Sequence, residues 1–200
     1  MPPAATAATI VFFNEQRFVN ANTISEVTQE VGFWSSSVTS PTAGGGRSTA
    51  TQTTDISASF IGGIGLAEEQ FPSERAASFL QTHFTIDAPF TANLDIELFE
   101  AGLGFTRVFL QDRARSFERV WDVFGEPGLT NFSGETILAP GTYFFWMEAG
   151  SVTPFNAVSS FNGGLTLAPI PEVVPEPASM TLFGLGLLAA GARRLRRPKS

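Results

Sequence analysis

From Thr91 to Leu98 the chain alternates without a break. Ala92, Leu94, Ile96 and Leu98 fall on one side, and Asn93, Asp95 and Glu97 on the other. A period of two predicts an extended strand with one buried face, and it does not fit a helix. The same period runs through its neighbours. Before the break at Asp87-Ala88-Pro89, Leu80, Phe84 and Ile86 oppose Gln81, His83 and Thr85. Phe105–Asp112 and Ser116–Phe124 continue the pattern. After the tight turn at Pro140-Gly141, Tyr143, Phe145 and Met147 oppose Phe144 and Trp146. A strand apolar on both faces is expected to be central in its sheet or to pack its second face under a loop. Residues 158–170 read as the last strand.

Elsewhere the signal is weaker. Residues 9–20 predict one or two short strands about Asn14-Glu15. Residues 27–38 predict another, with Phe33 and Trp34 in the core. The Ser/Thr/Gly-rich stretch 35–54 reads as a long loop. Alternation resumes over 55–61, with Ile56, Ala58 and Phe60 on one face. Residues 62–78 then read as a loop with at most a helical turn, and Glu126–Gly134 as turns. Short strands at close spacing with Gly/Pro/Asn punctuation predict an all-β fold. Connections too short for helical crossovers make it an antiparallel β-sandwich, jelly-roll-like, over residues 9–168. The stretch from about Phe79 to Gly150 resembles sandwich domains near the C-termini of secreted bacterial proteins. In those a Leu-x-Pro-Gly-Thr-Tyr turn introduces a late strand, and here it stands as Leu138-Ala139-Pro140-Gly141-Thr142-Tyr143.

Composition agrees with a β-domain. Of 200 residues 20 are Phe, and Gly 19 and Pro 13 supply turns. Charge is unevenly placed. Five of the 12 basic residues (Arg193, Arg194, Arg196, Arg197 and Lys199) lie beyond Gly191, so seven remain against all 19 acids. An acidic body disfavours nucleic acid as a partner, because phosphate contacts need a basic face.

The residues offer little for catalysis. Cys 0 removes a thiolate nucleophile, a disulfide framework and a thiolate metal site. The sole histidine, His83, has no Gly-x-Ser-x-Gly elbow to serve, and reads as a solvated strand residue. One His without Cys does not suit a zinc or iron site. Asp95 and Glu97 share a strand face, as glycosidase carboxylates or calcium ligands would, but a solvent-facing strand accounts for them equally. Gly62-Gly63-x-Gly65 lacks the rest of a phosphate loop. Trp34, Trp121 and Trp146 could stack on sugar rings, and each also sits in an apolar context that suits packing. The expectation is a protein without catalytic residues, metal or cofactor.

The two ends differ. Residues 1–13 show neither the basic segment nor the apolar run of a secretory leader. Ala5-Thr6-Ala7 has the small-x-small pattern of a leader's end, so residues 1–8 read as a leader remnant or as an ordinary Ala/Thr-rich terminus. At the other end Pro171, Pro175 and Pro177 stiffen a linker over 169–178. Met180–Ala192 follows without a charge. As a helix this run would span roughly 20 Å, against about 30 Å of hydrocarbon. It therefore suits temporary holding better than a permanent anchor. Arg193, Arg194, Arg196 and Arg197 would stay on the cytoplasmic side.

This three-part tail, Val174-Pro175-Glu176-Pro177-Ala178-Ser179, then Met180–Ala192, then the arginines, resembles the PEP-CTERM sorting signal of Gram-negative bacteria. The resemblance implies a sorting signal over 175–200, with Pro175, Glu176 and Pro177 as recognition residues and a short transmembrane helix over 180–192. Arg193, Arg194, Arg196 and Arg197 would form the stop-transfer cluster. It further implies an inner-membrane precursor with its body on the periplasmic side. An exosortase would process it for the cell surface or the extracellular space. The body is then expected to be a non-enzymatic surface or matrix component. The alternative is a carbohydrate-binding module acting on exopolysaccharide.

Overall fold

The computed structural model describes residues 8–41, 46–70, 75–115, 118–151 and 156–171. Within them the chain forms twelve strands and no helix. Six make one antiparallel sheet, in the order β2 (Ile24–Thr28), β1 (Ile10–Ala21), β6 (Ala76–Ile86), β11 (Gly141–Ser151), β8 (Gly104–Asp112), β9 (Glu118–Phe124). We call it sheet A. Sheet B runs β10 (Gly128–Leu138), β7 (Phe90–Ala101), β12 (Ala157–Pro169), β5 (Phe60–Glu69), β4 (Arg47–Ser57), β3 (Gly32–Pro41). Most connections carry the chain from one sheet to the other. The expected antiparallel sandwich is present. The linker and the short hydrophobic helix expected beyond it lie outside the described residues.

The central strands follow the alternation read from sequence. Leu80 and Phe84 on β6, Val108 and Leu110 on β8, and Phe145 and Met147 on β11 point inward from sheet A. They meet Leu94, Ile96 and Leu98 on β7 and Phe161 and Leu165 on β12. The two-sided apolar strand β11 is central, between β6 and β8. At the turn before it the Tyr143 hydroxyl donates to the Ala139 carbonyl at 2.8 Å, which pins the corner.

Four expectations need correction, and one is narrowed. Of the one or two strands expected over residues 9–20, the structure has one, Ile10–Ala21. The Asn14-Glu15 break is a bulge, where register with β6 shifts between Phe13 and Gln16 and Asn14 adopts φ 54°. Residues 27–38 contribute to two edge strands. Phe33 is 73% exposed, and Trp34 packs half-buried against a small second core. The Ser/Thr-rich stretch 35–54 is not a loop but most of the β3–β4 hairpin, paired from Gly32↔Ile56 to Pro41↔Arg47. Threonine favours strands as valine does, and the buried row here is Ser36, Val38, Ser40, Ser48, Ala50, Gln52 and Thr54. Hydropathy does not reveal such a face. Glu126–Gly134 is likewise largely strand, the first half of β10. Residues 60–69 form β5, not a loop, so the strand predicted over 55–61 is instead a hairpin turning at Ala58-Ser59.

That last misreading has a clear cause. Gly63 pairs with Gly163 and Gly62 with Gly164 across β5 and β12. Gly63 and Gly163 hold φ of 147° and 120°. A Cβ on Gly63 would lie 2.1 Å from the Thr53 carbonyl oxygen, and one on Gly163 2.2 Å from that of Asp95. These glycines are strand residues packed where no side chain fits.

Candidate functional site

The predicted sorting residues Pro175, Glu176 and Pro177, the run Met180–Ala192, and Arg193, Arg194, Arg196 and Arg197 all lie outside the described residues. Among the described residues, no helix is long and apolar enough to cross a membrane, and no group of three or more His/Asp/Glu side chains could hold a metal ion.

Asp95 and Glu97 stand together on the outer face of sheet B, facing Ser133 and Asn131 of β10. Glu97 accepts from the Asn162 side-chain amide at 3.2 Å. With Asn162 and Gly163 of β12 the two acids line an open depression in that face.

The outer face of sheet A is different. Its outward positions are aromatic on four adjacent strands. Phe18 on β1 lies 4.9 Å from Phe79 on β6, and Phe79 lies 5.1 Å from Trp146 on β11 at an interplanar angle of 8°. Trp146 in turn lies 6.1 Å from Phe109 on β8, again at 8°. Parallel rings at these centroid distances are offset-stacked, the arrangement that aromatic pairs favour. Phe109 is covered by the guanidiniums of Arg107 at 5.0 Å and Arg119 at 5.1 Å, and Arg107 also sits 4.4 Å over Phe124. Both arginines share one carboxylate, Asp122, to which Arg107 donates at 3.0 and 3.2 Å.

A second row contains His83. Its ring stacks on Phe144 at 4.5 Å and approaches Phe13 at 5.6 Å. The Arg113 guanidinium lies 2.9 Å from His83 Nδ1. A guanidinium only donates, so Nδ1 accepts and Nε2 carries the proton. Burial, and then the Arg113 charge, hold the His83 pKa below its ordinary value. Half-buried His83 is therefore a packed member of an aromatic row, where the sequence suggested a solvated residue. On the far side of Trp146, opposite Phe79, burial raises the Glu148 carboxyl pKa above the usual range, partly offset by a 3.1 Å hydrogen bond from the Trp146 indole.

The three tryptophans proposed as sugar stackers are thus placed apart. Trp146 has both faces covered within the ladder, Trp121 packs against the main core, and Trp34 packs on the second core near Arg17. Sequence reading missed Phe18, Phe79 and Phe109 as a set. Each sits at an outward position of its strand, but only the register across strands brings them together.

Comparison with known proteins bears on the tail. The family model for the PEP-CTERM protein-sorting motif matches residues 173–197. The chain carries a PEP-CTERM sorting signal. The matched segment contains Pro175-Glu176-Pro177, the whole apolar run and all four arginines. A PEP-CTERM signal implies processing by an exosortase, with a precursor held at the membrane before export. No curated protein matches the chain. Among solved structures, the enzymatically active domain of bacteriophage CBA120 tailspike protein 4 aligns over 77% of this chain and 19% of its own, at 10% identity and TM-score 0.30. A family 11 carbohydrate-binding module from Clostridium thermocellum, solved with a β-1,3-1,4-mixed-linked tetrasaccharide, aligns over 84% of this chain and 100% of its own, at 4% identity and TM-score 0.23. Likeness at this level carries no argument for this chain's fold or ligand.

Proposed function

We propose that this chain is an exported, non-catalytic β-sandwich protein. An exosortase recognises Pro175-Glu176-Pro177 and processes the chain near that motif, and it then serves at the cell surface or in the extracellular matrix. The observation that carries the reading is the PEP-CTERM match over 173–197. In this reading Met180–Ala192 holds the precursor in the inner membrane, Arg193, Arg194, Arg196 and Arg197 stop its transfer, and the body lies on the periplasmic side. The body's own chemistry fits a contact role. Its most developed surface is an aromatic ladder with guanidiniums at one end, and an open pair of acids stands on the other sheet.

Pulse-chase labelling in the native host tests the sorting step. Glu176→Ala, and separately the replacement of the four arginines by serine, should leave unprocessed precursor in the membrane fraction or lose it altogether. Normal processing of both variants would overturn the reading. Carbohydrate binding stays as the second reading of the body. It would use the partly exposed aromatic rings of the ladder and the amides of the Gln16–Gln81 pair (3.0 Å apart) on the same sheet. A glycan array probed with the exported protein separates it from a purely structural role.

A further inference from the structure

The sandwich has four edge strands, and they are not equally protected. On sheet A, β2 has only five residues, and one of them is Glu26. The other sheet A edge, β9, has seven residues, carries Glu118, Arg119 and Asp122, and faces a register shift at Leu110/Gln111. Shortness, charge and bulges are the devices that stop an edge from pairing with another chain. On sheet B, β3 runs for 10 residues in unbroken register with β4 and holds no charge, but it ends in Pro41 and is tied to β2, where the Ser36 hydroxyl donates to Glu26. The other sheet B edge, β10, has the least of these devices. It runs for 11 residues in unbroken register with β7, contains no proline and holds one charge, Glu135. It pairs with no other described strand. Its inward residues Thr130, Phe132, Gly134 and Thr136 are only half-buried, whereas the inward residues of β7 are buried throughout. Two large apolar side chains on its outer face, Leu129 and Ile137, are 63% and 67% exposed.

The order of residues along β10 explains those two side chains. Laid antiparallel against a second copy about Ser133, the strand reads against itself as a complement. On the outer face Leu129 meets Ile137, Asn131 meets Glu135, and Ser133 meets Ser133 of the other copy. On the inner face Thr130 meets Thr136, and Phe132 meets Gly134, which gives the ring a gap to cover. Apolar-apolar, amide-carboxylate and Thr-Thr pairs are all favourable across strands. A twofold axis satisfies each of the four unlike pairs twice, with Ser133 meeting itself on the axis, which is the requirement for a closed dimer. We infer that this chain self-associates through β10, joining two copies of sheet B into one continuous sheet about an axis at Ser133. This goes beyond the sorting reading and does not depend on it.

The absence of cysteine makes the test specific to register. Residues directly opposite in an antiparallel pair have Cβ atoms about 4.5–5.5 Å apart, close to the roughly 3.5–4.5 Å of a disulfide. In the full chain in mild detergent, Ser133→Cys should cross-link to a dimer on oxidation. Asn131→Cys stands on the same face, but its two copies would lie about 14 Å apart along the strand. It should cross-link at least roughly tenfold more slowly, and it measures random encounter within micelles. Density-matched sedimentation of the wild type should show a concentration-dependent dimer. Ser133→Lys, which sets two ammonium groups against each other, should weaken that dimer by roughly tenfold. A monomer at every concentration, equal cross-linking at 131 and 133, or a dimer indifferent to Ser133→Lys would each overturn the proposal.

Discussion

The inside of the sandwich has two unlike ends. Between β6, β8 and β11 and the facing β7 and β12, the buried positions are almost all apolar and the rings interlock. Phe161 lies so close to Gly65 that a Cβ there would sit 2.3 Å from the ring. Between β1 and the β3–β4 hairpin the apolar cluster shrinks to Val19, Ala21, Val38 and Ala50, with Trp34 against it. The rest of that interior is polar. Arg17 is 1% exposed. Its guanidinium donates to the carbonyls of Gly32 (2.6 Å) and Glu30 on the β2–β3 crossing, and to that of Thr54 on β4 at 3.5 Å. Both side-chain amide atoms of Gln52 and the Thr54 hydroxyl have no hydrogen-bond partner among the described residues. The first end is held by buried area. The second is held by one cation that ties the sheet crossing to the strands around it. Burial lowers the pKa of that cation, while the charges of Asp55, Glu15 and Glu30 oppose the shift.

The contrast can be broken at either end. The largest effect is expected from Phe161→Ala, which opens a cavity in the apolar end and should cost about 3–5 kcal/mol, read as a fall in the urea midpoint at constant slope. Next is Arg17→Ala. Removing the guanidinium leaves buried carbonyls unpaired and should cost about 2–4 kcal/mol in the same measurement. Gln52→Leu should act in the opposite direction. It replaces an unpartnered buried amide with an apolar group of similar size, and should raise stability by about 1 kcal/mol. A Gln52→Leu variant less stable than wild type would show that the polar end depends on that amide.

The smallest effects belong to the outer face of sheet A, at the two titrating side chains beside its aromatic rows. Because the folded state raises the Glu148 pKa, the stability tied to its neutral form is complete below the ordinary carboxyl range and is lost as pH rises through the raised value. Glu148→Gln should therefore match wild type in acid and exceed it at neutral pH. His83 has the opposite sign. With its folded pKa depressed, its contribution is complete above the ordinary imidazole range and is lost as pH falls through the folded value. Thermal unfolding of Glu148→Gln and His83→Gln across pH checks both directions.

The two ends also account for what could be read in advance. Strands β6, β7, β8 and β11 were legible because their buried rows are the apolar rows, such as Leu94, Ile96 and Leu98. The β3–β4 hairpin was not, because its buried row includes Ser36, Ser48, Gln52 and Thr54, and a polar stretch with Gly44-Gly45-Gly46 has the composition of a loop. The sorting tail was legible for a different reason, since its motif is local in sequence and needs no fold to be recognised. The aromatic ladder lies at the other extreme. Phe18, Phe79, Phe109 and Trp146 are brought side by side by strand register, which pairs Phe18 with Phe79 and Trp146 with Phe109.

The last strand, β12, occupies the interior of sheet B, bonded along Ala157–Thr166 to β5 and along Val158–Pro169 to β7. The chain that leaves it at Ile170 is the one that leads to the tail. Any tension on a tethered copy therefore enters the body at a strand gripped on both flanks, and both ladders must shear together before it slips. Unzipping bond by bond from a margin is closed to a load applied there. A load along β12 therefore meets two ladders at once, where a load along a peripheral strand would meet one.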